Sequence, residues 1–263
     1  MRIIILILTV VSIALSSCYS DNSSHSTLDP VSEVFRAEEI TGTFVAESID
    51  GEISYIHNEL RATTRFSPAS TFKIPNTLVA LNFGVVESKS STFTWDGVDK
   101  GLERWNSNQT LETAFKVSCV WCYQQVARAI GRDKYESALA ELGYGNQSVG
   151  EQIDLFWLDG SLEISAIEQV SFLRKLYNYD VPYQREYVDI LRTIMVDQQT
   201  EQYTIHAKTG WAATEPQVAW YVGFVELEDS AWLFAMNMQV DRPEQAALRQ
   251  ELAIRSLRAL GII

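Results

Sequence analysis

β-forming segments stand at the two ends of this chain, and helical patterns fill the stretch between them. Residues 41–49 and 52–60 are rich in strand formers and flank Asp50-Gly51, a tight-hairpin dipeptide. Strand character then disappears until residues 202–209, 218–227 and 231–240. Ala231 to Met238 is almost wholly apolar, as in a buried strand. An α+β architecture satisfies this order: an antiparallel sheet formed from both chain ends, with a helical region inserted.

The helical patterns carry their own punctuation. The one that carries Ser70 runs to about Asn82, with Gly84 as its stop. Residues 86–110 are a polar, loop-rich excursion, and a helical region begins near Thr110. Another starts at about Ser118 and ends at Gly131. Tyr135, Ala138, Leu139 and Leu142 share one helical face before Gly143. Ser165-Ala166-Ile167-Glu168 is a capping box opening a helix to about Tyr177. A further helix covers roughly 184–196, and the last runs from Pro243 to Leu260.

A chain of 263 residues, 46% hydrophobic with seven Trp, can bury a substantial core. Its formal net charge of −13 repels nucleic acid and anionic membrane, so no nucleic-acid partner is expected. Arg2 precedes an apolar run, Ile3 to Leu15, too short to span a bilayer. It reads as the core of an export signal over residues 1–17. Residues 18–35 read as a flexible tether, because they are polar and rich in Ser and Asp. Residues 36–263 read as the folded domain. Leu15-Ser16-Ser17-Cys18 resembles a bacterial lipobox, which makes Cys18 a candidate lipidation site and lipid anchor; ordinary cleavage near Ser20 is the alternative. Either route delivers the protein outside the cytoplasm, to the bacterial periplasm. Cys119 and Cys122 form a C-x-x-C in which a disulfide is permitted by that compartment. A redox motif would need a βαβ context and a zinc site would need further ligands. The plainest reading is a pair of half-buried helical cysteines.

Chemistry is concentrated in Pro68-Ala69-Ser70-Thr71-Phe72-Lys73-Ile74-Pro75-Asn76. A helix places Ser70 and Lys73 on one face. A serine hydroxyl becomes a nucleophile when a base takes its proton. A lysine amine, with a reference pKa of roughly 10.4, serves only when neutral, and burial favours the neutral form. Phe72, Ile74 and Leu78 supply apolar surroundings. A lone S-x-x-K is most often an ordinary surface pair. Three more short patterns follow: Ser118-Cys119-Val120 at a helix start, Tyr144-Gly145-Asn146 on a turn and Lys208-Thr209-Gly210 at a strand end. Each is weak alone. There are three histidines, His25, His57 and His206, and no G-x-S-x-G elbow, and His206 reads as a strand residue.

In this order the set resembles the serine β-lactamase and penicillin-binding protein superfamily, whose motifs are S-x-x-K, S-D-N and K-T-G. Ser-Cys-Val in place of S-D-N, together with Y-G-N and Trp157-Leu158-Asp159-Gly160, resembles most closely the class D β-lactamases, the oxacillinases. The likeness extends over about residues 36 to 263. It implies that Ser70 attacks a lactam carbonyl and that Lys73, carboxylated on its amine by CO2, is the base. It implies that Trp157 donates to the carboxylated lysine and that Ser118 relays a proton to the lactam nitrogen. Val120 and Leu158 would wall the base. Lys208, Thr209, Gly210, Trp211 and Arg249 would bind the substrate, Arg249 through its carboxylate. The backbone N–H groups of Ser70 and Trp211 would form the oxyanion hole. β-lactam antibiotics are the implied substrates, with CO2 or bicarbonate but no metal or other cofactor, in a monomer or homodimer. Spectrum would depend on the loops around Trp95–Trp105 and Trp211–Pro216. The rival readings are a β-lactam sensor that stays acylated, a D,D-peptidase and an inactive relative.

Overall fold

A computed structural model describes residues 29–263. The export-signal expectation, lipidation at Cys18 and all but the last residues of the expected tether lie outside the described residues. The elements in chain order are α1 (Pro30–Ala37), β1 (Gly42–Ser48), β2 (Ser54–His57), α2 (Glu59–Thr63), a 3-10 turn (Ala69–Phe72), α3 (Lys73–Asn82), β3 (Thr92–Phe93), a 3-10 turn (Glu103–Trp105), β4 (Gln109–Thr110), α4 (Leu111–Lys116), α5 (Val120–Ile130) and α6 (Arg132–Leu142). They continue as α7 (Ala166–Tyr177), α8 (Arg185–Met195), β5 (Val196–Gln199), β6 (Thr204–Ala212), β7 (Val218–Glu226), β8 (Ala231–Gln239), a 3-10 stretch (Pro243–Leu248) and α9 (Arg249–Ala259).

The main sheet has six antiparallel strands in the order β2-β1-β8-β7-β6-β5. N-terminal β1 therefore pairs with C-terminal β8, and the helical region is inserted between the sheet's two sequence halves. Each face of the sheet has its own core. Trp220, Val222 and Phe224 of β7 join Phe72, Leu78 and the inserted helices on one face. Ala219, Tyr221 and Val225 join Phe44 and Phe234 under α1 and α9 on the other. That two-sided burial is why β7 and β8 lack polar alternation; a fully buried Phe or Leu contributes roughly 1.5–3 kcal/mol.

Local signals account for many of the boundaries. Thr110 and Ser165 cap α4 and α7 through reciprocal side-chain and backbone bonds, the second using Glu168. Gly143 ends α6 in the left-handed region at φ +61°.

The structure departs from expectation in several places. β6 runs on to Ala212, so Lys208-Thr209-Gly210 lies inside the strand and not at its end, because pairing with β7 continues through Val218. The second hairpin strand is only Ser54–His57, because Asn58 enters the left-handed region and its side chain caps α2 through the Arg61 N–H. Residues 30–35, expected to be tether, lie in α1. Asp29 caps that helix, Pro30 stands in its first turn, and Val31 and Phe35 are buried in the core shared with α9. The short polar strand β5 had no periodicity to announce it; it forms by pairing along β6 with a bulge between Val196 and Gln198. The last helix opens as a 3-10 stretch, and its α-helical part begins at Arg249.

Candidate active site

Ser70 sits in the 3-10 turn that leads directly into α3, so its backbone N–H lies at a helix N-terminus. Ala69 before it is held at φ +48°, uncommon for a residue with a Cβ and a feature that clusters at functional sites. Lys73 Nζ lies 3.2 Å from Ser70 Oγ. Lys73 is 1% exposed, and its amine stands 4.8 Å from the centre of the Tyr123 ring. Burial holds its pKa well below the ordinary lysine range, and the neighbouring Lys208 cation pushes the same way. A lysine in such a place favours the neutral, proton-accepting form. Trp157 is buried too, stacked on Phe72 at 5.8 Å and edge-on to Phe156 at 5.0 Å. Ser67 Oγ donates to the Trp157 carbonyl, and the Trp220 indole donates to the Ser67 carbonyl, each at 2.9 Å. Those two bonds tie the Trp157 loop and the sheet to the chain just before Ser70.

Ser118 occupies the joint between α4 and α5 with φ +56°. The expectation that it opens the helix shifts by two residues: Val120 is the first helical residue and Cys119 is the cap. Cys119 and Cys122 are fully buried and joined by a disulfide, with Cα atoms 5.5 Å apart. The reading of two half-buried helical cysteines is thereby corrected, and the disulfide that the sequence left open is formed. Cys at the cap and at the third helical position bring their Cβ atoms within bridging range. The Cys122 N–H also donates to Cys119 Sγ at 3.2 Å.

Lys208 crosses from β6 to this joint. Its Nζ donates to Ser118 Oγ at 2.7 Å, to the Thr209 carbonyl at 3.1 Å and to Thr209 Oγ1 at 3.2 Å. Burial and the Arg249 cation lower its pKa to about 7, against the opposing pull of Asp197. Close approach of β6 to the Ser70 turn depends on Gly210: a Cβ there would lie 2.8 Å from the Pro68 carbonyl oxygen and 3.0 Å from Thr71 Cγ2.

A cleft of about 560 Å³ opens over these groups. Ser70, Ser118, Val120, Leu158, Thr209, Gly210, Trp211 and Arg249 line it, while Lys73, Trp157 and Lys208 are buried. Every site residue expected from the sequence, except Cys18 outside the described residues, thus lies in this cleft or in the buried layer bonded or packed around Ser70 and Ser118. Arg249 is half-buried, one Nη donates to the Ala246 carbonyl, and its Nε is buried without a partner among the described residues. The cleft also holds Leu102, Arg104 and Lys116, which sequence reading did not single out, and Trp105, which it named only as the end of a spectrum-setting loop. Three of them belong to the loop-rich excursion, where no periodicity exists to read. A second, smaller cavity of about 230 Å³ adjoins Lys208 and is lined by Lys116, Asp197 and Gln250. Asp197 was also missed, since it lies on the unannounced strand β5. Its Oδ2 accepts from Tyr221 Oη at 2.6 Å and Gln250 Nε2 at 3.1 Å.

Two other motif residues are structural. Asn146 donates to the Ser161 carbonyl at 2.9 Å and accepts from the N–H groups of Ser148 and Glu163, pinning the Trp157 loop. His206 bonds the Arg192 carbonyl and Glu226 and stacks on Phe224. Among the described residues, no group of three or more His, Cys, Asp or Glu could hold a metal ion.

A serine with a buried lysine at its hydroxyl, and a second serine bonded to a second lysine, form a constellation for acyl transfer through a serine nucleophile. The model of the penicillin binding protein transpeptidase domain matches residues 38–256. Beta-lactamase OXA-48 of Klebsiella pneumoniae is 40% identical over 230 residues, 87% of each chain. Beta-lactamase OXA-10 of Pseudomonas aeruginosa is 34% identical over 98% of this chain and 97% of its own length. The crystal structure of the class D β-lactamase YbXI from Nostoc superposes with a TM-score of 0.87 at 37% identity, covering 89% of this chain and 99% of that one. The chain belongs to the penicillin-binding protein transpeptidase family and, within it, to the class D β-lactamases.

Proposed function

We propose that this protein hydrolyses the β-lactam ring of penicillins and related antibiotics through a Ser70 acyl-enzyme, with a carboxylated Lys73 as general base, and so confers resistance. The observation that carries the reading is the 3.2 Å approach of a buried lysine amine to the serine hydroxyl. Ser70 Oγ bonds to the lactam carbonyl carbon as its proton leaves toward Lys73. The backbone N–H groups of Ser70 and Trp211 receive the developing oxyanion. The C–N bond then breaks, Ser118 gives its proton to the lactam nitrogen, and Lys208 replaces it across the 2.7 Å contact. The proton taken from Ser70 then returns through Ser118 to Lys208, which frees the base; the base takes a proton from water as water bonds to the acyl carbon, and gives that proton to Ser70 Oγ as the ester C–O bond breaks. Arg249 and Thr209 hold the substrate carboxylate, for which a guanidinium is suited.

The site suits carboxylation of Lys73. The amine reacts with CO2 only when neutral, which its burial favours. In the proposed state Trp157, which is buried, and Val120 and Leu158, which line the cleft with Ser70, would enclose the product. A carboxylated amine would supply an anionic oxygen base at that point. Two results are expected. Activity falls in acid, because protonated Lys73 cannot hold CO2, and added bicarbonate restores it at constant pH. Absence of both a bicarbonate response and a 13C carbamate resonance after 13CO2 labelling would remove the modification from the mechanism. Trp157→Ala slows deacylation more than acylation, read from burst and steady-state phases. Equal slowing of both would exclude its proposed role beside the base.

The test of the activity is time-resolved mass spectrometry of the protein mixed with a penicillin. A transient adduct on the Ser70 peptide, followed by free enzyme and hydrolysed product, is expected. A stable adduct would instead indicate a sensor or a peptidase. Export to the periplasm is part of the same proposal and is supported by the Cys119–Cys122 disulfide, a bond that persists in oxidising compartments. Lipid attachment at Cys18 would appear as an acylated N-terminal peptide in the membrane fraction.

A further inference from the structure

The charged side chains lining the cleft are Arg104, Lys116 and Arg249, with no carboxylate among the described lining residues, although the whole chain carries −13. These cations have different commitments. Arg249 lies beside the K-T-G strand, and Lys116 Nζ donates to the Val196 carbonyl at 3.0 Å. Arg104 is exposed, and its guanidinium joins no ion pair among the described residues.

The backbone that presents Arg104 is well anchored for a loop. The Trp105 indole donates to the Val117 carbonyl and the Trp121 indole to the Trp105 carbonyl, each at 3.0 Å. Buried Gln109 donates to the Arg104 carbonyl at 3.1 Å. The turn is therefore tied to the joint that carries Ser118, and Arg104 projects from a fixed base. Leu102, Trp105 and Trp211 add apolar surface to the same cleft.

We infer that Arg104 is a specificity residue that favours β-lactams carrying a second anionic group, a carboxylate or sulfonate, on the acyl side chain. The inference rests on the proposed activity and names the substrate class within it. With Arg249 engaged by the carboxylate on the lactam-fused ring, Arg104 offers a separate cation to the other end of the molecule. A guanidinium pairs with such planar anions through two parallel N–H bonds. An exposed pair of this kind is modest in strength and is screened by salt.

The experiment compares benzylpenicillin with its analogue bearing a carboxylate on the side-chain α-carbon, using wild type, Arg104→Gln and Arg104→Lys. The expected result for Arg104→Gln is a fall of roughly three- to fivefold in the ratio of kcat/KM, dianionic over monoanionic, carried by KM. The fall should shrink in 0.5 M salt, as roughly expected for a screened pair, and Arg104→Lys should recover part of it. Turnover of both penicillins with an unchanged ratio in Arg104→Gln would overturn the role of Arg104 and leave the activity standing. Failure of the wild type to turn over either would overturn both.

Discussion

Lys73→Met abolishes turnover, by roughly 10²–10⁴-fold or more, and leaves the protein at least as stable as the wild type. Both halves follow from one observation. The amine is buried, lies within hydrogen-bond reach of Ser70 Oγ, and has a second cation, Lys208, as a neighbour. As a base it makes Ser70 reactive, so its loss removes the proton acceptor. As a charge it is costly to bury, and a methionine of similar length removes that cost without leaving a cavity. The pH dependence has a definite sign. Folding lowers the Lys73 pKa, so the unfolded chain binds the proton more tightly, and the cost is full below the folded value. It is relieved as pH rises from the folded value to the ordinary lysine range. The gain from Lys73→Met is therefore largest in acid. A gain of about 1 kcal/mol would raise Tm by roughly 2–4 °C in a domain of this size. Melting curves at low bicarbonate, compared between acid and alkaline pH, decide the second half. A lower Tm in acid would refute the burial cost, and wild-type turnover would refute the base assignment.

Gly210→Ala reduces kcat/KM by roughly a hundredfold, the order expected when reacting groups are displaced by about 1 Å. The added methyl would lie 2.8 Å from the Pro68 carbonyl oxygen and 3.2 Å from Thr71 N, both backbone atoms of the turn that carries Ser70. Backbone cannot rotate aside as a flexible side chain does. β6 cannot retreat freely either, because Gly210 pairs with Trp220 in the sheet, and the Trp220 indole is itself bonded to the Ser67 carbonyl. The methyl therefore spreads the Ser70 turn from Lys208, Thr209 and the Trp211 N–H together. Overpacking of this kind costs about 1–3 kcal/mol of stability, so the fold should survive at assay temperature. A folded variant with wild-type kcat/KM would show that the close approach is not needed for catalysis.

The two elements that sequence reading handled best were those with dense local signals. The Ser165 capping box located α7, and the apolar run from Ala231 located β8, because capping and double-sided burial are written in adjacent residues. α1 and β5 were not legible. The first is stabilised by burying Val31 and Phe35 against distant α9, and the second by pairing a polar segment along β6. Neither partner is near in sequence. The Cys119–Cys122 spacing was legible, but whether the sulfurs met depended on the backbone at the joint after Ser118.

By itself, the sequence determined the sheet-helix-sheet order, the chemical types in the motifs, and the spacing that sets Lys73 one turn from Ser70. Those are properties of neighbouring residues: pattern, propensity and helical pitch. Only the tertiary structure decided that Ser118 meets a lysine 90 positions away, that this lysine is buried beside Arg249, and that a separate cation, Arg104, enters the cleft. Those facts depend on which strand pairs with which and on how closely β6 presses upon the Ser70 turn. They also set the lysine pKa values, because desolvation is a property of the surrounding fold and not of the residue.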